Sequence, residues 1–173
     1  MSHLTVLVGL PGSGKSTFTD KFIGELGFTP FIYSTDRFIE DAAKHFNTTY
    51  DDAFKSNIGT ATKVMDNMLE DATKFGVDVI WDQTNMSPKK RRSITSKVPN
   101  RYTKSCYCII PPRNEEEWAE LNRRLASRQG KTIPQHIIQQ MASSYVEPEL
   151  DEGFGRIYIM DMYGKLVTEK GTE

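Results

Sequence analysis

Residues 9–17 read G-L-P-G-S-G-K-S-T and follow directly on the apolar run Leu4, Val6, Leu7 and Val8. A G-x-x-x-x-G-K-[ST] segment works only where a strand ends in a tight loop and a helix begins, because the loop's backbone N–H groups must converge on one anion. Gly12 and Gly14 permit that curl, Lys15 reaches β and γ phosphates, and Ser16 can ligate Mg²⁺. The helix expected over residues 16–26 aims its partially positive N-terminus at the same point. A P-loop in this setting implies a nucleoside triphosphate ligand and a parallel α/β sheet around it.

The rest of the chain agrees with that architecture. Apolar strand-like runs at 4–8, 31–34, 77–81, 102–110 and 156–160 alternate with helical patterns at 16–26, 37–45, 50–75, 88–97, 114–128 and 134–145. The runs are apolar on both alternations, as strands of a parallel sheet covered on both sides are. The expectation is a P-loop NTPase three-layer α/β fold with five parallel strands, helices on both faces and a helical lid at about 121–134. At 173 residues the chain fits one domain. Pro88 and Pro134 suit the first turn of a helix, where no N–H is needed.

Composition excludes several classes. Twenty-two basic against 23 acidic residues leave a charge of −1, which gives no global case for binding long nucleic acid non-specifically. With no leader-like N-terminus and no apolar run long enough to span a bilayer, the expected compartment is the cytoplasm, with no membrane partner. Cys106 and Cys108 alternate with Tyr107 on one strand face and read as small buried hydrophobes, since two thiols without paired histidines do not make a tetrahedral site.

In parallel α/β sheets the ligand lies beyond the carboxyl ends of the strands. That rule selects Asp36 and Arg37 after the second strand, and Asp82, Thr84 and Asn85 after the third. Asp36 is placed for general-base work on an attacking hydroxyl, or alternatively for N-capping a helix that starts at Arg37. Asp82 suits a carboxylate holding Mg²⁺ directly or through water, or a plain strand-end turn residue. Arg124 and Arg128, four apart on one helix, share a face and can reach one anion, or form a solvated basic face. Gly130 and Pro134 bound a stretch with the composition of a lid hinge. Between Gln83 and Asn114 stand Lys89, Lys90, Arg91, Arg92, Lys97, Arg101, Lys104 and Arg113 with no acid. They could form a track for a short phosphodiester strand with Tyr102 and Tyr107 as stacking surfaces, or simply solvate a helix and loop.

Taken together, these segments resemble the kinase domain of the phage-type polynucleotide 5′-hydroxyl kinases, within the wider P-loop kinases that include zeta toxins and small-molecule kinases. The likeness runs from residue 4 to about 145. It rests on the order of P-loop, strand-end Asp36, D-x-T-N at Asp82 to Asn85 with Pro88 and basic residues behind it, W-x-E-L-x-x-R-x-x-x-R from Trp118 to Arg128, and Ile133-Pro134. The resemblance implies ATP and Mg²⁺ as cofactors, with Lys15 and Ser16 binding them, Asp36 as general base, and Arg128 as the lid arginine on the transferring phosphate with Arg124 beside it.

The candidate ATP-binding set is thus Gly9, Pro11, Gly12, Ser13, Gly14, Lys15, Ser16, Thr17, Arg124 and Arg128. The acceptor-side set is Asp36, Arg37, Asp82, Thr84 and Asn85, the metal ligands are Ser16 and Asp82, and the catalytic residues are Lys15, Asp36 and Arg128. The family also places an arginine a few positions after its base to contact the acceptor's phosphate; here Ile39 stands at the counterpart position and Arg37 is the nearby arginine. Relatives can carry a phosphatase module opening D-x-D-G-T, but Asp161-Met162-Tyr163-Gly164 lacks the second aspartate, so 156–160 reads as the last strand. The expected reaction is phosphoryl transfer from ATP to a hydroxyl, foremost the 5′-OH of a short single-stranded or end-exposed nucleic acid. The alternatives are a nucleoside, modified-base or other small-molecule acceptor, and, in another class, an ATP-hydrolysing toxin-like or regulatory module.

Overall fold

In the computed structural model, which describes residues 1–128 and 131–171, the run before the P-loop is strand β1 (His3–Val8). It carries the fully buried Leu4, Val6 and Val8 through the middle of the sheet. The other strands are β2 (Phe31–Tyr33), β3 (Val79–Asp82), β4 (Thr103–Ile109), β5 (Arg156–Met160) and β6 (Leu166–Gly171), in the order β2-β3-β1-β4-β5-β6. The first five pair in parallel, as their two-sided apolar character requires. The expected three-layer α/β fold is the observed one.

Helix α1 (Lys15–Leu26) joins β1 to β2 by stepping over β3, whereas all later crossovers step the other way along the sheet. Right-handed crossovers then put α1 on one face and the remaining helices on the other. Neighbouring side chains of β4 show the division: the Tyr107 ring lies 4.7 Å from Phe18 of α1, while the Cys108 thiol lies 3.3 Å from the Tyr145 hydroxyl. Both cysteines are free and fully buried in the main core with Trp81, Ile94 and Ile157. Burial pushes the Cys108 thiol up to about 11, which leaves it an unreactive hydrophobe.

Two local expectations are corrected. Helix α2 (Thr35–His45) begins before Arg37, and its N-cap is Ser34, whose Oγ accepts from the Arg37 N–H at 3.3 Å. Asp36 therefore sits in the first turn, and capping is not its role. The sheet also has a sixth strand, β6, antiparallel to β5. Its side chains are mostly exposed, so it lacks the apolar run that marks the other strands. The Asp161-Met162-Tyr163-Gly164 segment is the hairpin turn: Asp161 Oδ1 accepts from the N–H groups of Tyr163 and Lys165, each at 2.9 Å, and Gly164 takes φ 84°.

The remaining helices are α3 (Tyr50–Lys74), α4 (Pro88–Lys97), α5 (Glu115–Ala126) and α6 (Gln135–Ser143). Side-chain oxygens of Thr49, Ser87 and Asn114 cap the first three, and Pro88 opens α4 as expected. Helices α5 and α6 are anchored by a second core in which Leu121 and Ile138 are fully buried against Leu10, Met86, Ile109 and Met162. None of the described helices is long and apolar enough to cross a membrane.

Candidate functional site

Strand β1 lies between β3 and β4, the point at which the chain's progress along the sheet reverses, and the P-loop leaves its carboxyl end. Gly12 (φ 77°) and Gly14 (φ 111°) adopt the left-handed backbone the curl needs, and Gly14 caps α1. Space is equally restrictive. A Cβ on Gly12 would stand 3.0 Å from Leu125, and one on Gly9 would stand 2.7 Å from the Ser13 hydroxyl. The Gly9 N–H donates to the Thr84 carbonyl at 3.0 Å, fastening the P-loop to the D-x-T-N segment.

Lys15 reaches back over this loop, donating to the Gly9 carbonyl at 2.9 Å and the Leu10 carbonyl at 3.2 Å. Burial brings its pKa down to about 8, against the opposing pull of Asp82 and Asp36. Its ammonium is poorly compensated and prepared for an anion. Ser16 and Thr17 are exposed at the start of α1, whereas the Ser13 hydroxyl is buried without a hydrogen-bond partner.

Asp82 ends β3 with 8% of its surface exposed. Burial raises its pKa, and Lys15 and Arg37 only partly offset the effect. A buried carboxylate in that condition, lining the same cleft as the exposed Ser16 hydroxyl, has the chemistry of a hard-cation site. A hydroxyl from Ser16 and a carboxylate from Asp82 line this one cleft, a pair whose chemistry fits Mg²⁺.

Asp36 occupies the far wall of the same cleft. Its Oδ1 accepts from the Tyr50 hydroxyl at 2.5 Å and its Oδ2 accepts from the Lys131 ammonium at 2.6 Å. Burial acts to raise its pKa, but the bonds from Lys131 and Tyr50 outweigh it and hold the carboxyl below its usual range. Two carboxylates in one cleft are thereby set apart, the more exposed Asp36 shifted toward the ionised form and the buried Asp82 toward the protonated one.

The arginine pair divides. Arg124 donates to the Ser13 carbonyl at 3.2 Å and the Met162 carbonyl at 3.0 Å while pairing with Glu120 at 2.8 Å. Arg128 stands 3.9 Å from Glu40 across the cleft. Both line it, together with the P-loop, Asp36, Arg37, Asp82, Thr84 and Asn85. Gly130 lies outside the described residues. The cleft measures about 1670 Å³, more than the roughly 300–1,000 Å³ of a pocket for one drug-sized ligand, so it has room for a nucleotide and a second molecule.

Another candidate is engaged in structure. Asn85, 2% exposed and left-handed at φ 49°, donates its side-chain amide to the Leu7 carbonyl at 2.8 Å, while its backbone carbonyl accepts from Arg91. Arg37 lies 3.7 Å from Asp20, and Ile39 is fully buried against Ala43, Ala53 and Ala61.

The basic run does not form a track. Arg91 is fully buried in a bidentate pair with Glu152, Arg92 meets Asp151, Lys97 meets Asp66, and Arg113 meets Glu117. Arg101 donates to the Thr73 carbonyl, and Lys104 donates to the Thr95 and Val98 carbonyls at the end of α4. Lys89 and Lys90 stand exposed, with Lys90 at the cleft. Nor do the tyrosines form a platform. Tyr102 is 4% exposed with its hydroxyl on the Val77 carbonyl, and Tyr107 is stacked on Tyr158 at 4.6 Å.

Tyr50 and Lys131 were absent from the candidates read in the sequence. Neither belongs to a spaced motif, and Lys131 meets Asp36 across 95 positions of chain.

A P-loop at the sheet's switch point, with a carboxylate wall opposite and arginines alongside, defines a P-loop domain of the kinase/ATPase type. A family model described as an AAA domain matches residues 4–148, and the chain belongs to that family. In fold it is similar to a chain from the PezAT chromosomal toxin-antitoxin system of Streptococcus pneumoniae, with TM-score 0.71, 16% identity, and coverage of 98% of this chain and 71% of that one. It is also similar to a sugar kinase from Janibacter sp. HTCC2649, with TM-score 0.62, 17% identity and coverage of 94% and 87%. A chain of the Pnkp1/Rnl/Hen1 RNA repair complex aligns with TM-score 0.61 and 24% identity over 83% of this chain and 43% of its own length, so the present chain spans less than half of that protein. At these identities the likeness is one of fold.

Proposed function

We propose that this protein is an ATP- and Mg²⁺-dependent kinase that transfers the γ-phosphoryl group to a hydroxyl, foremost a polynucleotide 5′-OH. The observation that carries the reading is the position of Asp36: an ionised carboxylate facing the P-loop across a cleft large enough for two ligands. Phosphoryl transfer asks the protein for in-line positioning, charge neutralisation and a proton acceptor. The P-loop N–H groups and Lys15 hold the β and γ phosphates, and Asp36 takes the proton of the acceptor hydroxyl as its oxygen bonds to the γ phosphorus and the bond to ADP breaks. Arg128, at the cleft edge, stabilises charge on the transferring group. Mg²⁺, held by Ser16 and Asp82, would supply neutralisation of the phosphate oxygens.

The order of motifs from Asp36 to Arg128 supports a polynucleotide end as acceptor, as does the fold shared with a chain of an RNA repair complex. The internal pairing of the basic run implies a grip on the first nucleotide or two, through Arg37 and Lys90, in place of a phosphate track. A second reading, a small-molecule hydroxyl, is favoured by Asp20, Glu40 and Asp41 on the cleft wall, which repel a polyanion.

The test is transfer of labelled γ-phosphate to a 5′-OH DNA oligonucleotide, a matching RNA, a nucleoside 3′-monophosphate and free nucleosides. Labelled oligonucleotides are the expected result. Label confined to nucleosides would replace the polynucleotide reading with the small-molecule one.

A further inference from the structure

Lys131 stands out among residues to which the proposed reaction assigns no role. It lies in the segment leading from α5 to α6, yet its side chain is only 8% exposed and ends on Asp36 at 2.6 Å. The same ammonium sits 4.4 Å from the centre of the Tyr50 ring, within cation–π range. The Tyr50 hydroxyl in turn donates to the other oxygen of Asp36. Three side chains from three separate elements thus close a ring, and its one anion is the carboxylate facing the P-loop. A lysine on a surface helix serves solubility, but a buried one with two specific partners fixes geometry.

We propose that Lys131 is a positioning residue that, seated on the Tyr50 ring, holds the carboxylate of Asp36 in place and aimed at the acceptor hydroxyl. The proposal rests on the kinase reading. Each Asp36 oxygen has a second lone pair, so the bonds from Tyr50 and Lys131 fix the plane of the carboxylate and still leave it an acceptor for a substrate proton. Because Lys131 comes from the α5–α6 segment that also carries Arg128, one stretch of chain sets both the base and the charge on the phosphate.

The groups facing Asp36 are Lys131, Tyr50 on α3, Lys15 on the P-loop and Asp82 on β3, with Glu40 and Arg128 facing Tyr50 from α2 and the end of α5. Removing Lys131 takes a cation and a hydrogen bond away from Asp36 and leaves Lys15 as a cation still acting on it. The proton affinity of the carboxylate must then rise.

The experiment compares wild type with Lys131→Met, Lys131→Arg and Tyr50→Phe, measuring the pH dependence of kcat for transfer and, separately, the titration of Asp36 by carboxyl ¹³C NMR. In Lys131→Met the acid limb of kcat and the Asp36 titration are both expected to move up by about one pH unit. KM for ATP should stay within about twofold, and Lys131→Arg should return the limb most of the way. Tyr50→Phe, which keeps the ring, should move both in the same direction by less. An acid limb and an Asp36 titration that stay where wild type has them in all three variants would overturn the proposal. If wild type transfers no phosphate to any acceptor, the kinase reading fails by itself. The NMR titration then decides alone, an unmoved carboxyl rejecting the Lys131 assignment.

Discussion

Arg124 donates a hydrogen bond to the Ser13 carbonyl at 3.2 Å, so helix α5, which leads into the segment carrying Arg128, is tied directly to the phosphate-binding loop. Their spacing predicts one shared helix face, but α5 ends at Ala126, so Arg128 lies beyond the helix and the two arginines do different work. Arg124 is held by Glu120, Ser13 and Met162, whereas among the described residues the Arg128 guanidinium pairs loosely with Glu40 at 3.9 Å.

The two substitutions should therefore separate. Arg128→Ala is expected to lower kcat on the order of 100-fold with little change in ATP affinity or thermal stability. Arg124→Ala should lower the melting temperature and weaken ATP binding, since it releases two carbonyls and a carboxylate together. Steady-state kinetics with thermal melts distinguish the two; equal effects from both variants would contradict the division.

Arg91 and Glu152 give the largest expected stability effect. They form a bidentate pair at 2.6 and 2.9 Å with side chains 0% and 1% exposed, and Arg91 also holds the carbonyls of Asn85 and Val146. Arg91→Met leaves a buried carboxylate and two unpaired carbonyls, a loss of about 3–5 kcal/mol by denaturant unfolding. A loss under about 1 kcal/mol would show the pair to be hydrated.

Lys15 links ATP binding to protons. With its pKa brought down to about 8, it is about half protonated at that pH, and the triphosphate's charge should raise the pKa and fill the site. Calorimetry at pH 8 in buffers of different ionisation enthalpy should show an uptake of about half a proton per ATP. The uptake should vanish at pH 6, where Lys15 is already charged, apart from protons carried by ATP itself. Proton release at pH 8 would contradict the assignment.

How much of this was legible in the sequence depended on distance along the chain. The P-loop, the five parallel strands and the strand-end positions of Asp36 and Asp82 follow from local pattern and the sheet rule, and the structure places them as expected. Strand β6 escaped because an exposed edge strand carries no apolar run. The basic run was misleading because sequence shows the sign of Arg91 but not that Glu152, 61 positions on, neutralises it in the core. Tyr50 and Lys131 were invisible for the same reason: a carboxylate's partners in a folded cleft come from wherever the topology returns the chain.

The central claim is that Asp36 serves transfer and not nucleotide binding, and one measurement addresses it most directly. Labelled γ-phosphate transfer from ATP with Mg²⁺ to a 5′-OH oligonucleotide is compared between wild type and Asp36→Asn, with ATP affinity measured on the same samples. Transfer should fall by about 10²–10⁴-fold in the variant while ATP affinity stays within a few-fold. Transfer retained near the wild-type rate, or ATP hydrolysis equally fast in both proteins with no labelled acceptor, would contradict the account.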